Sequence, residues 1–353
     1  MSIPRTAERG VALLLVLWIF MILGVIAMDF ARYMRDDAMA SVNFAEETRG
    51  YYVALAGMNR AIFDMQRTSP EAKAAGGEAE QERADEEGPI VPPDGEWHEG
   101  DFAGGRWSVR MVDEASRISL NRAPEPLIRA VVTNLVRGGN ATTGVDRRTA
   151  DTAATITDSI LDWRDPDNMV RPHGAESGFY LKRRQPYRAK NGFFDSPEEL
   201  LLVRGVTPAL FYGGEGMPGL RDIFSVYTRR ENGGVLNVRT VAAPVLQVLL
   251  GIDPDEAADL VVQRGQGEPF LPIVQAKLTA VVPHPEFVGD FNPRVVSIEA
   301  RADVSAQRNQ SRVAAVADLA SDVAEGARVL RWLDRAPWSE PPPGLGAGAE
   351  RTS

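Results

Sequence analysis

The chain of 353 residues has no cysteine and only three histidines. Without thiols there is no disulfide framework, no zinc–thiolate site and no thiol nucleophile. His98, His173 and His284 are scattered, two of them beside proline, so no Ser/His/Asp constellation is readable from spacing. A nucleophile motif and a phosphate-cradling glycine loop are also missing, and the chain reads as non-enzymatic. An excess of positive charge is lacking too. The net charge of −10 argues against a surface built for nucleic-acid phosphates. The remaining absence is local: no residue from Gly10 to Met28 is charged. At about 1.5 Å per residue, a helix there is long enough to cross most of a bilayer core.

What precedes that run is short and polar, with Arg5 and Arg9 outweighing Glu8. The run is long for the apolar region of a secretory signal, no small-x-small cleavage site follows it, and Asp29, Arg32 and Arg35 lead on into further helical sequence. It reads as a retained single-pass anchor. A basic leader ending in Arg9-Gly10 before an unbroken apolar helix resembles the type IV prepilin and type II secretion pseudopilin class. That resemblance implies cutting between Gly10 and Val11 by a prepilin peptidase, with N-methylation of the new terminus at Val11. A plain membrane anchor carrying Arg-Gly by chance is the alternative.

The amphipathic spacing of Ala38, Val42, Ala45, Tyr52, Leu55, Ile62 and Met65 extends the helix over residues 11–67, roughly 85 Å, unless it breaks after Asp29. Glu71 to Gly95 is acidic, poor in large apolar side chains, and reads as a loop. Alternation predicts strands between Gly104 and Asn121, at Arg294–Ala302 and Arg312–Leu319 with a turn at Gln307–Gln310, and at Ala327–Leu333. Helices are expected over Pro126–Arg137 and Arg147–Trp163, and from a Ser196-Pro197-Glu198-Glu199 start. The pairs Leu120-Asn121 and Leu236-Asn237 each lead into a proline-started helix, and each unit ends near a phenylalanine (Phe193-Phe194 and Phe270). This is a loose internal duplication.

A series of motifs then becomes specific: Ser116-Arg117-Ile118-Ser119-Leu120-Asn121, Asp162-Trp163-Arg164-Asp165-Pro166-Asp167, Gly174-Ala175-Glu176, Pro186-Tyr187-Arg188-Ala189-Lys190-Asn191, and Leu236-Asn237. In this order they resemble the general secretion pathway protein K family, the K-type minor pseudopilins of type II secretion. The resemblance implies an α+β fold: a pilin-like long N-terminal helix on an antiparallel sheet, with a large inserted helical domain. The corresponding divisions are a leader (1–10), the long helix (11–67), the acidic loop and first strands (68–121), the helical insertion (122–222), the second pilin-like part (223–335) and a tail (336–353). It further implies an inner-membrane protein with its C-terminal domain in the periplasm. Its partners would be I-type and J-type minor pseudopilins and the major pseudopilin, in a complex that starts and caps the pseudopilus. Most of the class carries a glutamate five residues into the mature chain; here that position is Leu15, as expected of a K-type subunit. A buried carboxylate in hydrocarbon is costly, so its absence removes both a liability and a docking partner.

Asp162, Asp165, Asp167, Asn168 and Glu176 place several hard oxygen donors in one short stretch after a helix. Calcium takes six to eight such oxygens, but the same aspartates serve equally well as helix-cap and Asx-turn groups with Pro166 fixing the bend. The family resemblance implies calcium, with Asp162, Asp165 and Asp167 first among the ligands. A reading from another class rests on Leu202-Val203-Arg204-Gly205-Val206-Thr207-Pro208, which resembles the hairpin of helix-hairpin-helix DNA-binding modules, with Lys182, Arg183, Arg184, Arg188 and Lys190 upstream. The net acidity and Glu198-Glu199 beside the hairpin speak against it, so no nucleic-acid partner is expected.

Overall fold

No proline lies between Pro4 and Pro70, and one uninterrupted helix, α1 (Thr6–Arg67), fills that interval without a break after Asp29. The computed structural model describes residues 6–67, 90–138, 145–214, 217–227, 235–266, 269–282, 285–304, 311–319 and 327–334. Most of the expected acidic loop, the turn at Gln307–Gln310, His284 and the tail beyond Ala336 lie outside the described residues. At 62 residues α1 is about 93 Å long. Its large apolar side chains from Leu13 to Phe44 are all exposed. Among the described residues it is the helix long and apolar enough to cross a membrane.

The second half of α1 lies on a five-stranded antiparallel sheet of order β1 (Asp94–Phe102), β2 (Gly105–Asp113), β7 (Val295–Asp303), β8 (Ser311–Asp318) and β9 (Arg328–Asp334). The face it buries is Gly50, Val53, Ala54, Gly57, Met58, Ala61 and Asp64, at three- and four-residue steps. The stripe expected from sequence is displaced from this one. Ala38, Val42, Ala45 and Tyr52 are exposed, and Leu55, Ile62 and Met65 are only half-buried. The reason is close approach: a Cβ on Gly57 would lie 3.0 Å from the Trp107 ring, and one on Gly50 2.6 Å from Ser311 Oγ. The two glycines are contact residues, so an apolar-side-chain pattern misses the face they define. Opposite them, Val109, Met111, Val296, Ile298, Ala300, Val313, Ala315 and Ala317 alternate inward from three strands.

Strand β1 had no sequence forecast. Its residues are largely charged or polar with little alternation, because it is an edge strand with a wet face. What forms it is the turn into β2, where Ala103 and Gly104 both have positive φ (50° and 73°), the backbone of a tight hairpin with the right twist. Arg49 of α1 donates to the Ala103 carbonyl at 2.6 Å and pins that turn.

Between β2 and β7 the chain builds a helical body from two units. The first runs from β3 (Ile118–Ser119) through α2 (Glu125–Val136), α3 (Arg147–Arg164), α4 (Ser177–Tyr180), a 3-10 segment (Pro197–Leu202), α5 (Pro208–Tyr212) and α6 (Leu220–Ile223) to β4 (Phe224–Ser225), which pairs parallel with β3. The second runs from β5 (Leu236–Asn237) through α7 (Ala243–Leu250), α8 (Pro254–Gly265) and α9 (Phe270–Val281) to β6 (Val288–Gly289), parallel with β5. The duplication extends to hydrogen bonding. Asn121 Nδ2 donates to the Phe194 carbonyl (3.0 Å) and its Oδ1 accepts from the Phe194 amide (2.8 Å). Asn237 Nδ2 likewise donates to the Phe291 carbonyl at 2.9 Å, so the second anchor is Phe291 and not Phe270. One apolar core runs through both units from Ile118 to Val288, well past residue 222. The start at Ser196 forms a 3-10 segment with a capping box to Glu199, not an α-helix.

Buried acids weld this body to the sheet. Asp113, the last residue of β2, accepts from Asn237 Nδ2 (2.8 Å), Thr240 Oγ1 (2.6 Å) and the Ala115 amide (3.0 Å). Its neighbour Glu114 accepts from Ser225 Oγ at 2.5 Å. Adjacent carboxylates thereby hold the closing strand of one unit and the opening strand of the other.

Candidate functional site

Helix α3 positions the oxygen-rich loop. Asp146 caps its start by accepting from the Thr149 amide at 2.7 Å, and Ala153, Ile156, Ile160 and Trp163 bury its apolar face. That packing fixes the rotation of the last turns, which carry Asp158 and Asp162 inward despite their charge. Pro166 cannot continue the helix, so Asp165 becomes the C-cap and the chain turns back through Arg171 toward Glu176, the residue that precedes α4.

The turn gathers one oxygen each from Asp165, Asp167 and Glu176 to within 4.8 Å of one another. Both Glu176 carboxylate oxygens and Asp165 Oδ1 are buried with no hydrogen-bond partner among the described residues. Orphaned buried carboxylate oxygens are costly without a counter-charge. Burial first, then the charges of Asp162 and Asp165, pushes the Glu176 carboxyl up to about 7. Burial likewise raises Asp165, with Asp167 adding repulsion, and raises Asp162. All donors are hard oxygens, which suits an oxygen-seeking dication of the calcium type better than a soft metal. The residues therefore fit such an ion.

The other two expected ligands stand apart. Asp162 is buried beside the cluster but faces Arg171, whose Nε lies 3.4 Å from Asp162 Oδ1 and whose backbone amide donates to Asp162 Oδ2 at 3.3 Å. Asn168 is turned to Asn191, which donates to its Oδ1 at 3.1 Å and also to the Asp167 carbonyl. Sequence reading missed three supporting residues. Asn191 sits at φ 49°, a left-handed conformation that Asn tolerates, and Asn-Gly at 191–192 was the available turn signal. Gly174 leaves room for Asp162, whose carboxylate would collide with any Cβ there. Arg204 donates to the Gly174 carbonyl at 2.9 Å across the loop, a long-range contact with no local signature.

The hairpin at Leu202–Pro208 is occupied internally. The Arg204 amide donates to the Tyr180 hydroxyl (3.2 Å) and the Val206 amide to the Val203 carbonyl (3.2 Å), so neither is free for a phosphate. Gly205, at φ 88°, lets α3 pass close, since a Cβ there would lie 2.8 Å from Ile156. The DNA-binding alternative is not supported. At the other end of the molecule, Gly10 and Val11 lie inside α1, which begins at Thr6 and not at Val11, and Leu15 is exposed four residues further on.

A family model described as type II secretion system (T2SS), protein K matches residues 125–212, the stretch that carries α2, α3 and the oxygen-rich loop. The type II secretion system protein K of Pseudomonas aeruginosa is 26% identical over 269 residues, 74% of each chain. Both likenesses are to type II secretion system protein K. A second protein of that name, from Aeromonas hydrophila, is 40% identical over 60 residues, 17% of this chain and 18% of that one. Among solved structures, the GspK-GspI-GspJ complex of the enterotoxigenic Escherichia coli type 2 secretion system contains a chain with 16% identity and a TM-score of 0.48, covering 69% of this chain and 84% of that one.

Proposed function

We propose that this chain is a K-type minor pseudopilin, the tip subunit of a type II secretion pseudopilus, a structural, non-catalytic protein that starts and caps assembly. One pairing carries this: a long helix with a bare apolar first half, and Leu15 where filament subunits of this class hold a glutamate. In such a filament the apolar half of α1 packs among neighbouring helices, while the sheet and helical body project from it. Leu15 offers no carboxylate to a neighbour's amino terminus, and the two-unit body is bulky enough to leave no seat above it.

Maturation would be a cut between Gly10 and Val11 by the prepilin peptidase, followed by N-methylation. Glycine at the cut suits an extended backbone in a protease cleft, so the helix must unwind there. The anchor would sit in the inner membrane with the body in the periplasm. The partners we assign, from the similarity to type II secretion protein K, are I-type and J-type minor pseudopilins together with the major pseudopilin. Asp165, Asp167 and Glu176 would hold a calcium ion with Asp162 beside them; the ion would supply the counter-charge that their orphaned oxygens lack. Its work is structural, tying the C-terminal end of α3 to the start of α4.

Co-expression with the cognate I- and J-type subunits and affinity extraction in detergent tests this reading. The expected result is a stoichiometric three-subunit complex that forms without the major pseudopilin. A chain that elutes alone under the same conditions would overturn the tip assignment. Leu15→Glu in the same complex should reduce the share of filaments bearing the chain at their end; an unchanged share would leave bulk alone as the cap.

A further inference from the structure

We propose that the loop from Phe179 to Arg188 is a docking surface for an acidic segment, bearing apolar side chains, of a partner protein. The first observation is charge. No acidic residue occurs between Ser177 and Phe194 in a chain of net charge −10, yet that stretch holds Lys182, Arg183, Arg184, Arg188 and Lys190. Lys190 is spent on Asp195 (2.6 Å) and Glu199 (2.8 Å). The other four are exposed. Lys182, Arg184 and Arg188 make no ion pair among the described residues, and Arg183 reaches only the Tyr187 hydroxyl at 3.4 Å. Cations elsewhere in the helical body, such as Arg129, Arg171 and Lys277, are each paired with carboxylates.

The second observation is rigidity. Tyr180 is fully buried, Tyr187 stacks on it with centroids 5.1 Å apart, and the Tyr187 hydroxyl donates to the Leu202 carbonyl at 2.6 Å. The Ala189 amide donates to Ser177 Oγ at 3.1 Å and closes the loop. The cations are thus presented on an aromatic-anchored frame and lose little backbone freedom on binding. The third observation is the apolar complement: Phe179 and Leu181 are exposed beside the cations, and Arg204 stacks on the Phe179 ring at 4.8 Å. Unpaired charge rimming exposed apolar groups is the chemistry of a protein interface.

Lipid headgroups and nucleic acid share the negative charge but fit less well. Helix α1 first meets the sheet near Glu47, whose carbonyl accepts from Ser311 Oγ, roughly 30 Å along the helix from Met28 and the apolar run. A phosphate backbone would use the cations but leave Phe179 and Leu181 uncovered, and the acids Asp195 and Glu198 flank the loop.

The test uses the full chain in phosphatidylcholine nanodiscs and a fluorescein-labelled synthetic peptide of Asp and Glu interleaved with Leu and Phe, read by anisotropy. The peptide should bind, and the triple variant Lys182→Glu, Arg183→Glu, Arg184→Glu should bind it at least about tenfold more weakly with unchanged melting temperature. Leu181→Ser should weaken it by about threefold at constant charge, which a purely ionic contact would not show. A peptide with Asn and Gln in place of the acids should fail to bind. Equal binding by the triple variant, no binding by wild type, or tighter binding of duplex DNA or phosphatidylglycerol vesicles than of the peptide would each overturn the proposal.

Discussion

Calcium should stabilise the helical body by an amount that Glu176 controls. With free calcium at a hundred times its dissociation constant, the linkage increment is about 2.7 kcal/mol. The core that shares this increment runs from Ile118 to Val288, a size at which each kcal/mol moves the melting temperature by about 2–4 °C, so the shift should be roughly 5–11 °C. Glu176→Gln keeps the shape and removes one charge; a tenfold loss of affinity would cut the increment to about 1.4 kcal/mol. Without calcium the order reverses. The folded Glu176 carboxyl sits at about 7, above its unfolded value of 4.5. The folded state therefore holds a proton that the unfolded state releases, and wild type should gain stability relative to Glu176→Gln as pH falls from 7 toward 4.5. Scanning calorimetry in calcium and in EDTA at pH 7.5 and pH 5 reads all four terms. Calcium that leaves wild type unmoved, or that shifts Glu176→Gln by the full wild-type amount, would refute this assignment.

Other outcomes follow from particular contacts. Gly57→Leu should destabilise the α1–sheet junction by about 1–3 kcal/mol, because the Trp107 ring lies only 3.0 Å from where the new Cβ would sit; urea unfolding with tryptophan fluorescence checks it. Asp113→Ala should cost about 1–3 kcal/mol and loosen the body from the sheet, since Asn237 and Thr240 lose a buried acceptor; hydrogen exchange at β5 should rise before exchange at β7 does. Asn191→Val should lower calcium affinity without touching a carboxylate, because a β-branched residue resists φ 49° and the bonds to Asp167 and Asn168 vanish; isothermal titration measures it.

Much of the architecture was legible in the sequence because it rests on local signals. The absence of proline from Thr6 to Arg67, the alternation in β7, and the proline-started helices α2 and α7 all report short-range physics. What was not legible depends on partners distant in the chain. The buried face of α1 is set by Gly50 and Gly57 meeting Ser311 and Trp107, so counting apolar side chains selects a neighbouring stripe. Strand β1 owes its place to a hairpin and to β2, not to its own hydrophobicity. In the oxygen-rich loop, spacing marks a stretch of donors but not their geometry: Arg171 engages Asp162, whereas Asp165, Asp167 and Glu176 converge.

The central claim is that this chain enters the membrane as a prepilin and is matured into a filament subunit. Intact mass and amino-terminal sequencing of the membrane-extracted protein, produced with and without the cognate prepilin peptidase, test it most directly. The account predicts an N-methylated Val11 terminus that depends on the peptidase. A retained Met1 in the presence of active peptidase, or a cut beyond Met28, would contradict it.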